Sequence, residues 1–356
     1  MNKVRATNER LEGLVPYDPK YIPAQVMVSA NENPESLPAP VLEGVLERLR
    51  ALQFNRYPDP LANELRDAIA QANGLARENV LLGNGGDELL FDIALAWGGP
   101  GRKMLNVPPT FSVYGANARL TGTEVVNVPR LADYSLDEDA ILARVAKGDI
   151  DYLTITSPNN PTGQVARREF LLRLLDATDA LVMVDEAYCE FAGQTIVDCL
   201  AQHQNLVILR TFSKAYSLAG VRIGYILANP QVISEFVKVR QPYSVDAVSQ
   251  AIALEVMAHR DLFQRRVDAI VEQRAVMAES LAALPGVHPF PSDANYILVR
   301  FEGVDAGELW QQLLDRGILV RDFSRSASLE NCLRISIGTA EQNEAVIAAL
   351  KELLDK

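Results

Sequence analysis

The chain has 356 residues, more than one simple core holds, so two domains are expected. Its 46 acidic and 34 basic side chains leave a net charge of −12, and no Lys/Arg run interrupts a surface that repels nucleic acid and anionic membranes. The N-terminus MNKVRATNERLEG is polar, no apolar run has membrane-spanning length, three cysteines (Cys189, Cys199, Cys332) lack metal-ligand spacing and three histidines are scattered; these features argue against a signal peptide, a membrane span and a His-based metal site or triad, and point to a reducing, cytoplasmic setting.

The first thirty residues, with prolines at 16, 19 and 23, read as an extended arm that packs on the smaller domain or on a partner subunit. From about 41 to 230, helix-period segments such as VLEGVLERLRAL and NELRDAIAQAN alternate with seven apolar runs: NVLLG, KMLNV, EVVNV, DYLTI, ALVMVD, LVILR and RIGYIL. Each run is strand length, rich in Val, Ile and Leu, and bounded by turn residues. The alternation predicts an α/β domain over 31–258 with a mostly parallel seven-stranded sheet. After about residue 259 the pattern changes. DLFQRRVDAIVEQRAVMAESLAALPG reads as one long amphipathic helix ended by Pro-Gly. NYILVRF, a helix over about 305–316, ILVRDF, CLRISIG and a helix from Thr339 then make a smaller α+β domain over 259–356.

Ligands of open parallel sheets bind beyond the carboxyl ends of the strands, so the residues after each run carry most information. After NVLLG, the turn GNGGDE places Gly85, Gly86 and Asp87 at a helix start, where free N–H groups suit a phosphate. After KMLNV, two prolines set Phe111 at the start of a helix, as a plate for a flat ring or as a core residue. After DYLTI comes SPNNPTG, where Pro161 holds Asn160 out of the helical region and presents its amide. After ALVMV comes DEAY: Asp185 follows five apolar residues and needs a cationic partner, with the Tyr188 phenol close by. After LVILR comes TFSKAYSLAGVRIG, with Lys214 among Thr211, Ser213 and Arg222. A lysine among cationic and apolar neighbours has a lowered pKa and serves as a nucleophilic amine. Taken singly, each has a plainer reading: a strand-to-helix turn or a helix N-cap at Asp87 and Asp185, turn chemistry at Asn160, a surface lysine at 214.

Taken in order, these parts fit one flat, phosphorylated, aldehyde-bearing cofactor, pyridoxal 5'-phosphate. Lys214 would bind its aldehyde covalently. Asp185 would keep the ring nitrogen protonated so that the ring draws electrons. Tyr188 and Asn160 would hydrogen-bond the ring oxygen, and Phe111 would stack on the ring. Gly85, Gly86, Asp87, Thr211, Ser213 and Arg222 would form the phosphate end.

The segments SANENP, NRYPDP, GNGGDE, PPTFSVY, SPNNPTG, VDEAY, TFSKAYSLAGVRIGY, QPYSVD and LRISIGT run in order from about 29 to 339. In them the chain resembles the fold-type I, class II aminotransferases, and within these the histidinol-phosphate aminotransferase family. The resemblance implies a homodimer in which Tyr57 reaches the cofactor phosphate of the neighbouring subunit. It implies that Arg334 binds the substrate carboxylate, that Arg321 and Tyr17 help hold the phosphate of histidinol phosphate, and that Asn33 and Tyr243 line the pocket. It also implies a ping-pong exchange with glutamate and 2-oxoglutarate. Phe111 departs from the family, which often has a tyrosine there; stacking survives the change and a phenol hydrogen bond does not. One pocket must accept a phosphate in one half-reaction and a carboxylate in the other, and guanidinium forks suit both. On the same fold, an aromatic amino acid aminotransferase would rely less on Arg321, and a decarboxylase of threonine O-3-phosphate would share the phosphate site. A DNA-binding regulator would need a basic segment the chain lacks, and in a degenerate homologue the cofactor positions would not all be filled.

Overall fold

The computed structural model describes residues 4–11 and 22–355. In chain order its strands are β1 (Val26–Val28), β2 (Val80–Asn84), β3 (Lys103–Asn106), β4 (Glu124–Asn127), β5 (Tyr152–Thr156), β6 (Leu181–Asp185), β7 (Leu206–Thr211), β8 (Ile223–Ala228), β9 (Val287–Pro289), β10 (Tyr296–Phe301), β11 (Ile318–Asp322) and β12 (Cys332–Ser336). Each of the seven apolar runs contributes one strand to a single sheet, ordered β2-β8-β7-β6-β5-β3-β4. β8 is antiparallel to both β2 and β7, and the other pairs are parallel.

Alternate residues of a strand point to opposite faces, and here both faces are covered. Leu153, Ile155, Val182, Val184 and Ile208 enter one core. Tyr152, Met183, Val207 and Leu209 enter another on the opposite side. That is why the runs read as continuously apolar rather than alternating. The exception is β4, the sheet edge, whose residues are half-buried or exposed.

A second sheet has the order β1-β11-β12-β10-β9. β1, from the segment read as an arm, pairs parallel with β11, Val26 opposite Ile318. The other contacts in this sheet are antiparallel. The helix Arg260–Ala282 joins the two parts. Its Phe263 packs into the core of the larger sheet, while Val267, Ile270, Met277 and Leu281 pack under the smaller one. The last helix, Ala340–Leu354, is capped by Thr339 and Gln342 in a reciprocal box.

The two sheets differ in what they bring to the cleft between them. β5, β6 and β7 end side by side, with Thr156 opposite Asp185 and Asp185 opposite Leu209. β12 aims Arg334 back towards those ends. One close approach fixes the start of the helix Gly85–Trp97. Gly224 of β8 lies so near it that a Cβ would come 2.6 Å from the Gly86 nitrogen and 2.8 Å from the Gly85 carbonyl carbon. Backbone cannot step aside as a side chain can, so Gly224→Ala should cost about 1–3 kcal/mol. Gly115→Ala, whose added carbon meets only the Arg119 side chain at 3.5 Å, should be neutral or slightly stabilising. Urea unfolding of both variants checks this; equal midpoints would contradict it.

Candidate active site

The strand ends and the smaller sheet enclose a cavity of about 560 Å³. Gly86, Asp87, Phe111, Asn160, Asp185, Tyr188, Thr211, Ser213, Lys214, Arg222, Arg321 and Arg334 all line it. Residues from β5, β6, β7 and both sheets, far apart in sequence, are therefore brought to one place.

Asp185 closes β6 and is 4% exposed. Its Oδ1 accepts from the Ala187 N–H at 3.0 Å and its Oδ2 accepts from the Tyr114 hydroxyl at 2.6 Å. Tyr114 Oη also lies 2.8 Å from Thr156 Oγ1. Burial pushes the Asp185 carboxyl up to about 6, against the two hydrogen bonds that favour its charged form. A cationic ring nitrogen is the kind of partner that would restore the charge.

Lys214 follows β7. Its Nζ donates to the Ala30 carbonyl at 2.8 Å and lies 5.9 Å from the centre of the Tyr188 ring. Burial, then the charges of Arg334 and Arg222, push the amine down to about 8, while Glu32 and Asp87 act the other way. The lysine and the carboxyl are thus both shifted towards their neutral forms by the same water-poor cleft.

Arg334, 6% exposed, donates to Asn160 Oδ1 at 2.5 Å and to the Ser29 carbonyl at 2.6 Å. Its guanidinium stands 5.1 Å over the Tyr296 ring and 5.7 Å from that of Phe323. Arg321 is its direct cross-strand neighbour and stands 6.0 Å over Phe323. Like charges placed opposite one another on a sheet repel, and a pair facing one cavity is suited to an anion. Asn160 Nδ2 lies 3.4 Å from the Tyr188 hydroxyl. Phe111 meets Tyr114 edge-on at 5.6 Å.

The turn before the helix Gly85–Trp97 differs from expectation. Asp87 is not the cap. Asn84 takes that position, because Gly85 adopts φ +77° and starts the helix three residues before a cap at Asp87 would. The Asp87 carboxylate instead pairs with Arg222 at 3.0 Å. Asp87 can therefore offer an anion only its backbone N–H. Arg222 itself sits at φ 58°, with its other nitrogen on the Ala219 carbonyl at 3.2 Å. Thr211 Oγ1 donates to Ser213 Oγ at 3.0 Å.

Other expected residues stand apart. Asn33 is not among the cavity-lining residues; its amide donates to the Ala215 carbonyl at 3.1 Å and its oxygen accepts from Glu35 N–H, tying the 29–35 loop to the lysine loop. Tyr57 and Tyr243 also lie off the cavity and stack on each other with centroids 4.6 Å apart. Tyr57 is 81% exposed. Tyr17 lies outside the described residues. Among the described residues no group of His, Cys, Asp and Glu is arranged to hold a metal ion, and no helix is long and apolar enough to cross a membrane.

The sequence profile of aminotransferase class I and II matches residues 23–350. A histidinol-phosphate aminotransferase 1 of Carboxydothermus hydrogenoformans is 42% identical over 354 residues, covering 99% of this chain and 100% of that protein. The chain belongs to the class I and II aminotransferases, within the histidinol-phosphate aminotransferase family. Among solved structures, histidinol-phosphate aminotransferase of Sinorhizobium meliloti in complex with pyridoxal-5'-phosphate has TM-score 0.89 and 26% identity, covering 99% of this chain and 98% of that one. L-threonine-O-3-phosphate decarboxylase of Porphyromonas gingivalis has TM-score 0.82 and 27% identity, covering 93% and 100%. The fold of this aminotransferase is therefore shared by enzymes of more than one chemistry.

Two polar residues of this aminotransferase's site escaped the sequence reading. Tyr114, inside PPTFSVY, reaches Asp185 across 71 residues. Asn31, inside SANENP, donates to Tyr188. The only signal for either is that a buried carboxylate and a buried phenol each need partners, which does not say where they come from. The raised Asp185 pKa gives a test in the cofactor-free chain. The folded state favours the protonated carboxyl, so its stabilising contribution is full below pH 3.8 and is lost as pH rises through about 6. Asp185→Asn should accordingly be more stable than the parent at pH 8, by up to about 3 kcal/mol, and no more stable at pH 3.5. Urea unfolding at both pH values checks this; a variant less stable at pH 8 would contradict it.

Proposed function

We propose that the protein is a pyridoxal-phosphate-dependent transaminase. It moves the amino group of L-histidinol phosphate to 2-oxoglutarate, giving imidazole acetol phosphate and L-glutamate, in a ping-pong cycle that uses one site twice. One observation carries this: a single cavity holds a desolvated lysine and carboxyl together with two arginines set side by side on β11 and β12.

The residues present fit the cofactor. Gly85 has φ +77°, and a Cβ there would come 2.5 Å from Arg222 Nη2, so the turn stays bare, as a phosphate cradle requires. Gly85, Gly86 and Asp87 would give backbone N–H groups to the phosphate, with Thr211, Ser213 and Arg222 beside them. Phe111 would stack on the ring, Tyr188 and Asn160 would bond its oxygen, Asp185 its nitrogen, and Lys214 its aldehyde. When bound, the cofactor supplies an electron-poor ring that draws off the electron pair left by proton removal. The Lys214 amine, a free base above about pH 8, takes the proton from the amino-bearing substrate carbon. Arg334 and Arg321 orient the substrate by its anionic end, phosphate in one half-reaction and carboxylate in the other, with Tyr17 assisting. Asn33 supports the lysine loop rather than the pocket wall.

The enzyme works as a homodimer in the cytoplasm, with Tyr57 of each subunit completing its neighbour's phosphate site and Tyr243 beside it. The exposure of Tyr57 and of Phe54, 73% exposed, supports this, as large exposed aromatics close together favour an interface. Residues 31–258 form the cofactor-binding domain, and 259–356 form the smaller one together with β1 of the preceding segment, which is a strand of its sheet rather than part of a loose arm.

Cofactor-loaded protein mixed with L-histidinol phosphate, without keto acid, should lose its visible absorbance band and regain it with 2-oxoglutarate. Faster loss with L-phenylalanine would move the substrate to aromatic amino acids. Carbon dioxide release from L-threonine O-3-phosphate, with the band retained, would make the enzyme a decarboxylase. The lowered lysine pKa gives a second expectation. Uptake of pyridoxal phosphate by the cofactor-free protein should speed up as pH rises through about 8, since only the neutral amine attacks the aldehyde. A rise only above pH 10, the range of an ordinary lysine, would contradict it.

A further inference from the structure

The segment 29–33 leaves β1 of the smaller sheet and runs across the cavity mouth, and Asn31 is its buried centre, 1% exposed. Its backbone has φ 55°, a left-handed conformation that asparagine tolerates better than most side chains. Each of its polar groups is engaged. The backbone N–H donates to Ser336 Oγ at 2.9 Å, and the backbone carbonyl accepts from Asn295 Nδ2 at 3.0 Å. The side-chain oxygen accepts from Ser336 Oγ at 3.0 Å, and the side-chain nitrogen donates to Tyr188 Oη at 3.0 Å.

The direction of these bonds is not arbitrary. Ser336 Oγ accepts the Asn31 backbone N–H and donates its own proton to the Asn31 side-chain oxygen. That fixes the amide the other way round, nitrogen towards Tyr188. The phenol oxygen of Tyr188 must then accept on that side, and Asn160 Nδ2 approaches the same oxygen at 3.4 Å. An oxygen that accepts from Asn31 gives its proton in another direction, and Tyr188 lines the cavity.

We propose that Asn31 is a positioning residue that sets the polarity of the Tyr188 hydroxyl, making it a donor towards the ring oxygen of the cofactor. The proposal rests on the cofactor pocket described above and adds to it a residue from the smaller sheet's side. A donor at the ring oxygen offsets its negative charge, so it lowers the proton affinity of the neighbouring lysine–cofactor linkage. Asn31 acts on that affinity only through Tyr188.

The test is a pH titration of the visible band of the cofactor-loaded enzyme, with the cofactor dissociation constant measured alongside. Asn31→Gly keeps the left-handed backbone and removes the amide. Its midpoint should rise by roughly half a pH unit to a unit, and that of Tyr188→Phe by more. The double variant Asn31→Gly/Tyr188→Phe should match Tyr188→Phe alone. Asn31→Asp, whose carboxylate can only accept from the phenol, should raise the midpoint further than Asn31→Gly. A merely structural asparagine would lower the melting temperature of Asn31→Gly and leave its midpoint at the parent value, which would overturn the proposal. So would a double variant whose shift is the sum of the two single ones. Failure of the parent protein to form a visible band with pyridoxal phosphate would instead overturn the cofactor pocket itself.

Discussion

Two groups of opposite charge type, the buried Asp185 carboxyl and the half-buried Lys214 amine, stand at the ends of neighbouring strands, and desolvation shifts each towards neutrality. The rest of the site depends on this. Desolvation makes the amine a base and nucleophile near neutral pH, and it leaves the carboxyl in want of a cation. The sheet provides the burial, since its central strands are covered on both faces and β5, β6 and β7 end side by side at the cleft. Tyr114, Thr156 and the Ala187 N–H fix where the carboxyl points.

The smaller sheet contributes two arginines to the cavity and closes the cleft. Arg334 and Arg321 are cross-strand neighbours there. Arg334 is held by Asn160 from the larger sheet and by the Ser29 carbonyl, while the adjacent Ala30 carbonyl holds Lys214. Three consecutive residues, Ser29 to Asn31, thus touch Arg334, Lys214 and the Tyr188 phenol. Such a contact between two sheets sets the lysine and the arginine in register with each other, the kind of fixed geometry that positioning catalysis requires.

Much of this was legible in the sequence. The seven apolar runs became the seven strands because two-sided burial writes itself as an unbroken apolar segment. The helix Arg260–Ala282 followed from its period and from the Pro-Gly after it. The short strands were not legible. β1 and β9 span three residues each, too few for a period, and β1 is a strand because β11 pairs with it 292 residues later (Val26 with Ile318). At the site, the residues that end apolar runs were readable because chain position alone puts them at the cleft. Tyr114 and Asn31 were not, because their importance arises from what approaches them in three dimensions. Only the helix-cap reading of Asp87 failed, for a local reason: a positive φ at Gly85 starts the helix early, and the acid becomes an ion-pair partner.

The central claim is that Lys214 is the amine that binds the cofactor's aldehyde. The most direct measurement is borohydride reduction of the protein loaded with pyridoxal phosphate, followed by proteolysis and peptide mass spectrometry. The account predicts a single reduced phosphopyridoxyl adduct, on the peptide that carries Lys214. An adduct spread over several surface lysines, or located on another lysine with Lys214 unmodified, would contradict it.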